Sequence, residues 1–320
     1  MLGGCQVAVR FEKTADGFGL QAFDIDLRED ISDGDRAAIL EAWTQSGLLL
    51  FRGANDSEEG HMRLSHCFGT PEVSVKKEFN AKSNPYLLDL KYTPDDADKM
   101  RNAVLFHGEP RAGFIGWHWD QAFAPRIIRG AVLRMLAPAA QNGETGFIDA
   151  IDAYDRLPQK LKDRLDGLEV VYQYRAKANP ICFPAGVIDQ SSGRDDAAMR
   201  ADFPPTVHPM VITQPATGRK ILKLSPMYAD HVLGMRREDS QELFEKIAQH
   251  LLDENFAHIH KWQAEDLIVW DNWRVLHSAR GHPFEDFRHA QRTTIAGDYA
   301  LGRYLDPAIE GSFSAKRAID

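Results

Sequence analysis

Short apolar runs bounded by turn residues recur from one end of this chain to the other, and that pattern rules out an all-helical fold. Residues 7–12 and 20–24 read as strands on either side of a Thr-Ala-Asp-Gly turn, and Leu48-Leu49-Leu50-Phe51 reads as a strand buried on both faces. Further strands are expected at 86–92, 131–137, 147–148, 169–174, 257–262, 267–270 and 291–295, with a hairpin made by 207–213 and 220–224. Helices fill the intervals. Ser32 caps one that Gly47 ends, and Ser57 opens another that Gly69 closes. Others are expected at 150–156, 159–167 and 239–253, the last with Leu243, Phe244, Ile247 and Leu251 on one face. Strands outnumber helices and most neighbours are joined by turns, which predicts a mainly β fold with flanking helices. No repeat or linker divides the 320 residues, so one domain is expected over 1–320.

Two stretches resist this pattern. Residues 93–116 mix charge, Pro and Gly and read as a long connection. Residues 176–206 show no period and read as a mobile flap, with a solvated insertion as the alternative.

Composition excludes several functions. At 43% hydrophobic and 27% charged the chain is ordinary for a globular protein. No apolar run approaches the roughly 18 residues a membrane span needs. The net charge of −9 argues against a nucleic-acid surface, so an anionic ligand would need positive charge supplied locally. Cys5, Cys67 and Cys182 are an odd set without short spacing, implying neither a disulfide framework nor a zinc knuckle. With no leader-like N-terminus the cytoplasm is the default location; assembly into a homo-oligomer stays open.

The chemistry gathers at Gly116-Trp117-His118-Trp119-Asp120. In an extended segment residues two apart share a face, so His118 and Asp120 can reach one metal while Trp117 and Trp119 point away. Alone, such a pair is as well explained by a hydrogen bond. His277, closing the stretch that begins Trp270-Asp271-Asn272, adds the third ligand. Two His and one carboxylate are the set that holds non-haem Fe(II) with positions left open. Arg288 and Arg292 follow His277 by eleven and fifteen residues and would share one side of a strand. Two guanidinium forks beside such a metal suit a dicarboxylate that also chelates it.

Taken in order, His118-x-Asp120, His277, Arg288 and Arg292 resemble the taurine/2,4-dichlorophenoxyacetate dioxygenase family of Fe(II)- and 2-oxoglutarate-dependent oxygenases. Phe23-Asp24-Ile25-Asp26-Leu27, Leu50-Phe51-Arg52-Gly53, Gly143-Glu144-Thr145, His208-Pro209 with Gly218-Arg219-Lys220, and Trp270-Asp271-Asn272 resemble further family segments, across about residues 18 to 300. The resemblance implies a double-stranded β-helix, or jelly roll, as the core. It implies His118, Asp120 and His277 as iron ligands, with Thr145 and Arg288 holding the distal carboxylate of 2-oxoglutarate. Arg292 would grip an anionic group of the substrate or support the cosubstrate. The activity implied is O2-dependent conversion of 2-oxoglutarate to succinate and CO2, coupled to oxidation of an unactivated C–H bond. Asp120 favours oxygen chemistry over halogenation. Hydroxylation, cleavage by hydroxylation and desaturation all begin with the same hydrogen abstraction.

Departures from the family bear on the substrate. Trp119 stands where a smaller residue is common and is either core or a wall of the pocket. With Phe114 in the 93–116 connection, Tyr228 in Ser225-Pro226-Met227-Tyr228, and Arg292, it makes a set of candidate substrate contacts. These favour a small organic acid with an apolar or aromatic body over taurine. Two rivals remain: a non-catalytic metal-binding β-helix protein, which would not require Thr145 and Arg288, and a zinc hydrolase, for which no motif presents a general base.

Overall fold

Leu48–Phe51 shows how the layers are arranged. All four residues are buried, Leu48 and Leu50 in one apolar cluster and Leu49 and Phe51 in another. Side chains alternate between the faces of a strand, so the sheet that holds this strand is covered on both sides. The structure, a computed structural model, describes residues 8–15, 17–54, 57–73, 80–95, 103–175, 177–190 and 202–309.

On the outer side lies helix Asp33–Ser46. Ser32 caps it by accepting from Asp35 N, and Gly47, at φ 78°, closes it with its N–H on Trp43 O. That left-handed conformation is the reason for a glycine there. Ile39 and Trp43 face the sheet. The second helix, Glu58–Ser65, starts at Ser57 as expected but ends with His66 as its C-cap, short of the predicted Gly69. Tighter bonds from Cys67 N to Leu64 O and Phe68 N to Ser65 O break it off.

On the inner side the sheet faces a second one. The first has eight strands, with Leu48–Phe51, Leu267–Asp271, Gly130–Ala137 and Arg288–Ile295 side by side. The second has six, in the order Val187–Asp189, Val104–Phe106, Glu109–His118, Val275–His282, Thr145–Asp149 and Ala257–His260. From Glu109–His118 onward the chain crosses between sheets: Gly130–Ala137 lies in the first, Thr145–Asp149 in the second, Leu267–Asp271 in the first, Val275–His282 in the second and Arg288–Ile295 in the first. These interleaved antiparallel strands form the double-stranded β-helix. Leu48, Leu50, Leu133, Met135, Phe147, Ile268, Trp270, Val275 and Ala290 fill the space between the sheets.

The excursion between Thr145–Asp149 and Ala257–His260 carries the helices Ala150–Arg156, Gln159–Leu165 and Arg237–Leu251. It also carries most of a four-stranded sheet made of Ala229–Val232, Glu169–Tyr172, Thr206–Pro209 and Arg303–Tyr304. Leu243, Phe244, Ile247 and Leu251 are buried, as their helical spacing requires, in a cluster shared with Trp117 and Trp119.

Three expectations need correction, and a further stretch, 176–206, is described only in part. Residues 93–116 are not one connection: Val104–Phe106 and Glu109–His118 pair as a hairpin turning at His107 (φ 50°) and Gly108 (φ 88°). Positive φ at both turn residues matches the twist of a two-residue hairpin. The predicted 207–213 strand divides, Thr206–Pro209 staying in the four-stranded sheet while Val211–Thr213 pairs with Lys220–Leu222. Of the presumed flap, Val187–Asp189 is a strand on Val104–Phe106 and Pro180–Cys182 is one 3-10 turn, while 191–201 lie outside the described residues. Finally, the strand expected over 291–295 begins at Arg288.

Candidate metal centre

His118 ends its strand directly opposite His277 in the neighbouring one, with ring centroids 4.2 Å apart. Asp120 follows after one residue. Its Oδ1 is 3.7 Å from His118 Nε2 and its Oδ2 is 3.6 Å from His277 Nε2. One ligand atom from each residue lies within 4.8 Å of the other two. The separations are too long for hydrogen bonds. They suit three donors around one ion, since neighbouring ligands with bonds of about 2.1 Å sit roughly 3 Å apart. His118 Nδ1 donates to Gly116 O at 2.8 Å, which leaves the lone pair on the nitrogen that faces Asp120.

Electrostatics set the protonation such a site needs. Burial, reinforced by His118, pulls His277 well below the usual histidine range, so it is neutral at pH 7. Burial alone would raise Asp120; the Arg292 guanidinium, the largest opposing influence, overcomes it, and the carboxylate stays well below its ordinary value. A neutral imidazole and an ionised carboxylate are the metal-binding forms.

Asn272 fixes the carboxylate strand from both sides, a role the sequence reading did not assign. Its Oδ1 accepts from Asp120 N at 2.7 Å and its Nδ2 donates to Asp120 O at 3.2 Å. Its own carbonyl accepts from the buried Lys223 Nζ at 2.6 Å.

Trp119 packs in the core. It is fully buried, with Tyr172 and His208 edge-on at 5.5 and 5.2 Å and Lys223 Nζ 4.0 Å from its ring. Strand alternation has turned it away from the face that carries His118 and Asp120.

Arg288 and Arg292 stand either side of Ala290, whose side chain belongs to the cluster between the sheets, so both enter the barrel. Among the described residues no carboxylate pairs with Arg288, and burial pulls it down to about 10. An enclosed guanidinium without a counter-charge is costly unless an anion completes it. Arg288 Nε would meet a Cβ on Gly143 at 3.9 Å, which sets Arg288 beside the turn leading into Thr145. Thr145 is buried and its Oγ1 accepts from the indole N–H of Trp262 at 2.9 Å, a partner the sequence reading missed. Arg292 meets Asp120 through Nη2–Oδ2 at 2.6 Å and Nη1–Oδ1 at 3.3 Å, leaving its buried Nε without a partner.

Of the remaining candidates, Tyr228 lies edge-on to His118 at 6.0 Å and close enough to Asp120 and Arg292 to respond to their charges. Phe123 and Tyr174 flank it, 5.2 Å and 5.9 Å from its ring, and Phe203 packs edge-on against both of them. Phe114 is buried on the strand that ends at His118, 6.0 Å from both Phe106 and Phe183. The open groove of about 500 Å³ lined by Asn80, Asp89, His289 and Gln291 is elsewhere: 289 and 291 face away from 288 and 292.

Fold and site together define a mononuclear metal protein of the 2-His-1-carboxylate type on a double-stranded β-helix. Residues 10–294 match the family described as taurine catabolism dioxygenase TauD, TfdA family, and the chain belongs to that family. The chain is 28% identical over 280 residues to the alpha-ketoglutarate-dependent 2,4-dichlorophenoxyacetate dioxygenase of Cupriavidus pinatubonensis, covering 86% of this chain and 93% of that one. It is 26% identical to the (S)-phenoxypropionate/alpha-ketoglutarate-dioxygenase of Sphingobium herbicidovorans, covering 85% and 89%. The fold matches that of AAD-2 in complex with Mn(II) and N-oxalylglycine, with a TM-score of 0.72 at 22% identity over 92% of this chain and all of that one. The protein is an enzyme, a dioxygenase dependent on Fe(II), 2-oxoglutarate and O2.

Proposed function

We propose that this enzyme oxidises an unactivated C–H bond of a small organic acid with an apolar or aromatic body. The observation that carries this reading is the pairing, on the metal side of the barrel, of Arg292 with the aromatic group around Tyr228. A guanidinium with an unused N–H takes a carboxylate, and edge-on rings take an apolar body. The 2,4-dichlorophenoxyacetate and (S)-phenoxypropionate named for two relatives have that form, a carboxylate on an aromatic ring.

In this reading His118, Asp120 and His277 hold Fe(II), and Thr145 with Arg288 holds the distal carboxylate of 2-oxoglutarate. The donor set fits the ion, since three ligand atoms face one another without bonding to each other. Arg288, with no carboxylate partner among the described residues, fits the dicarboxylate. Bound Fe(II) supplies O2 activation coupled to decarboxylation of 2-oxoglutarate. The chain's own residues orient and enclose. Asn272 keeps Asp120 in place, Trp270 packs against His277 at 4.8 Å, and Arg292 places the anionic end of the substrate. Interleaved strands from residue 10 to residue 304 argue that one catalytic domain spans the chain.

The test is succinate release by Fe(II)-loaded enzyme with 2-oxoglutarate, O2 and a panel of acids. Aryloxy- and arylalkanoic acids are expected to raise succinate formation by about tenfold or more over no substrate, equivalent to roughly 1.4 kcal/mol of barrier. A panel in which only short aliphatic sulfonates stimulate would overturn the substrate class. Product analysis then separates hydroxylation and cleavage from the second reading, desaturation.

A further inference from the structure

The Thr145 hydroxyl has one hydrogen bond to protein among the described residues, and its donor is rigidly mounted. Strand Ala257–His260 runs beside Thr145–Asp149 with His260 opposite Thr145. Beyond it the chain turns back, and in that turn Trp262 aims its indole N–H at Thr145 Oγ1, 2.9 Å away.

The turn is clamped by one buried carboxylate. Asp266 accepts from Arg52 Nε and Nη2 at 2.7 Å each, from His260 Nε2 at 3.0 Å and from Gln263 N at 2.9 Å. The His260 ring then meets Trp262 edge-on at 4.6 Å. Arg52 and Asp266, 214 residues apart, thus hold the indole in place.

An indole N–H can only donate, whereas a hydroxyl accepts through its lone pairs and donates one proton. With Trp262 on one lone pair, the Thr145 proton is kept off that side and left for another acceptor. We propose that Trp262 is a positioning residue for the cosubstrate: its N–H orients the Thr145 hydroxyl as a donor to the distal carboxylate of 2-oxoglutarate. The inference rests on the reading that Thr145 grips that carboxylate.

The substitution that tests it is Trp262→Phe, which keeps an aromatic ring and removes the N–H. Fe(II)-loaded protein is titrated anaerobically with 2-oxoglutarate, following the visible charge-transfer absorption, and again with 2-oxobutyrate, a keto acid without the distal carboxylate. Trp262→Phe is expected to weaken 2-oxoglutarate by about five- to tenfold, the scale of one hydrogen bond, and to leave 2-oxobutyrate and Fe(II) affinity unchanged. Thr145→Val should weaken 2-oxoglutarate too, with the double variant no worse than Thr145→Val alone. Unchanged 2-oxoglutarate affinity in Trp262→Phe, equal weakening of both keto acids, or additive effects in the double variant would overturn the inference while leaving Thr145 in its role. Unchanged affinity in Thr145→Val would instead sink the reading beneath it. Benzothienylalanine at position 262, the same shape without the N–H, repeats the comparison if Trp262→Phe does not fold.

Discussion

In the proposed reading, two arginines four residues apart divide the anionic work of this site. Arg288 has no carboxylate partner among the described residues, whereas Arg292 is already bonded to Asp120. Arg288→Ala should therefore weaken 2-oxoglutarate by about 2 kcal/mol or more, some thirtyfold, as for loss of a charge-assisted bond. Arg292→Ala should chiefly raise the KM of the acid substrate. Isothermal titration and steady-state kinetics on both variants check the division, and equal losses of 2-oxoglutarate affinity with unchanged substrate KM would refute it. The pairs His118/Asp120 and Arg288/Arg292 were legible in the sequence because spacing along a strand decides which residues share a face, whereas His277, on another strand, came from the stretch that resembles the family's second-histidine segment. Asn272 and Trp262 were not assigned, since each acts across the fold on a residue more than a hundred positions away. Local sequence does not decide whether Trp119 is core or pocket, because what buries it is Tyr172, His208 and Lys223, all remote in sequence.

At the scale of elements, strand Glu109–His118 determines where the first ligand stands, and its glycines explain why it was read as a connection. Pro110, Gly113 and Gly116 interrupt the apolar alternation by which strands are recognised. Gly113 takes φ 67°, a conformation that favours glycine. A Cβ at Gly116 would collide with Cys182 Sγ and meet Cys182 O at 3.0 Å, so a side chain is excluded one residue short of Trp117 by a segment sixty-odd positions on. Gly116→Ala should cost about 1–3 kcal/mol, the usual penalty for overpacking, and Cys182→Ala should restore part of it. Thermal melts of the single and double variants measure this. A Gly116→Ala protein as stable as the parent would show that Cys182 yields freely.

Across the whole molecule, interleaving of two sheets brings the ligands together, and such topology leaves little trace in local sequence. That strands outnumber helices, where the first two helices begin and the apolar face of Arg237–Leu251 were legible because each rests on near neighbours. Which strand lies in which sheet is decided by contacts such as Arg52–Asp266. Burial would raise the Asp266 carboxyl, but hydrogen bonds from Arg52, His260 and Gln263 N carry it down to about 2. A group depressed in the folded state stabilises above its unfolded pKa near 4, and that contribution is lost as pH falls through 4 toward 2. The stability gap between the parent and Asp266→Asn should thus shrink by about 1 kcal/mol between pH 6 and pH 3. Urea titrations at both pH values test it, and a gap independent of pH would contradict the assignment.

In the proposed reading, His118, Asp120 and His277 hold Fe(II) beside a 2-oxoglutarate site carried by Arg288. The most direct measurement adds 2-oxoglutarate to Fe(II)-loaded protein without oxygen, records the visible spectrum, then admits O2 and quantifies succinate. The expected result is a charge-transfer band that saturates with 2-oxoglutarate, is absent in His277→Ala, needs more 2-oxoglutarate in Arg288→Ala, and gives way to succinate once O2 enters. Neither band nor succinate from the parent protein, with metal content verified, would contradict it.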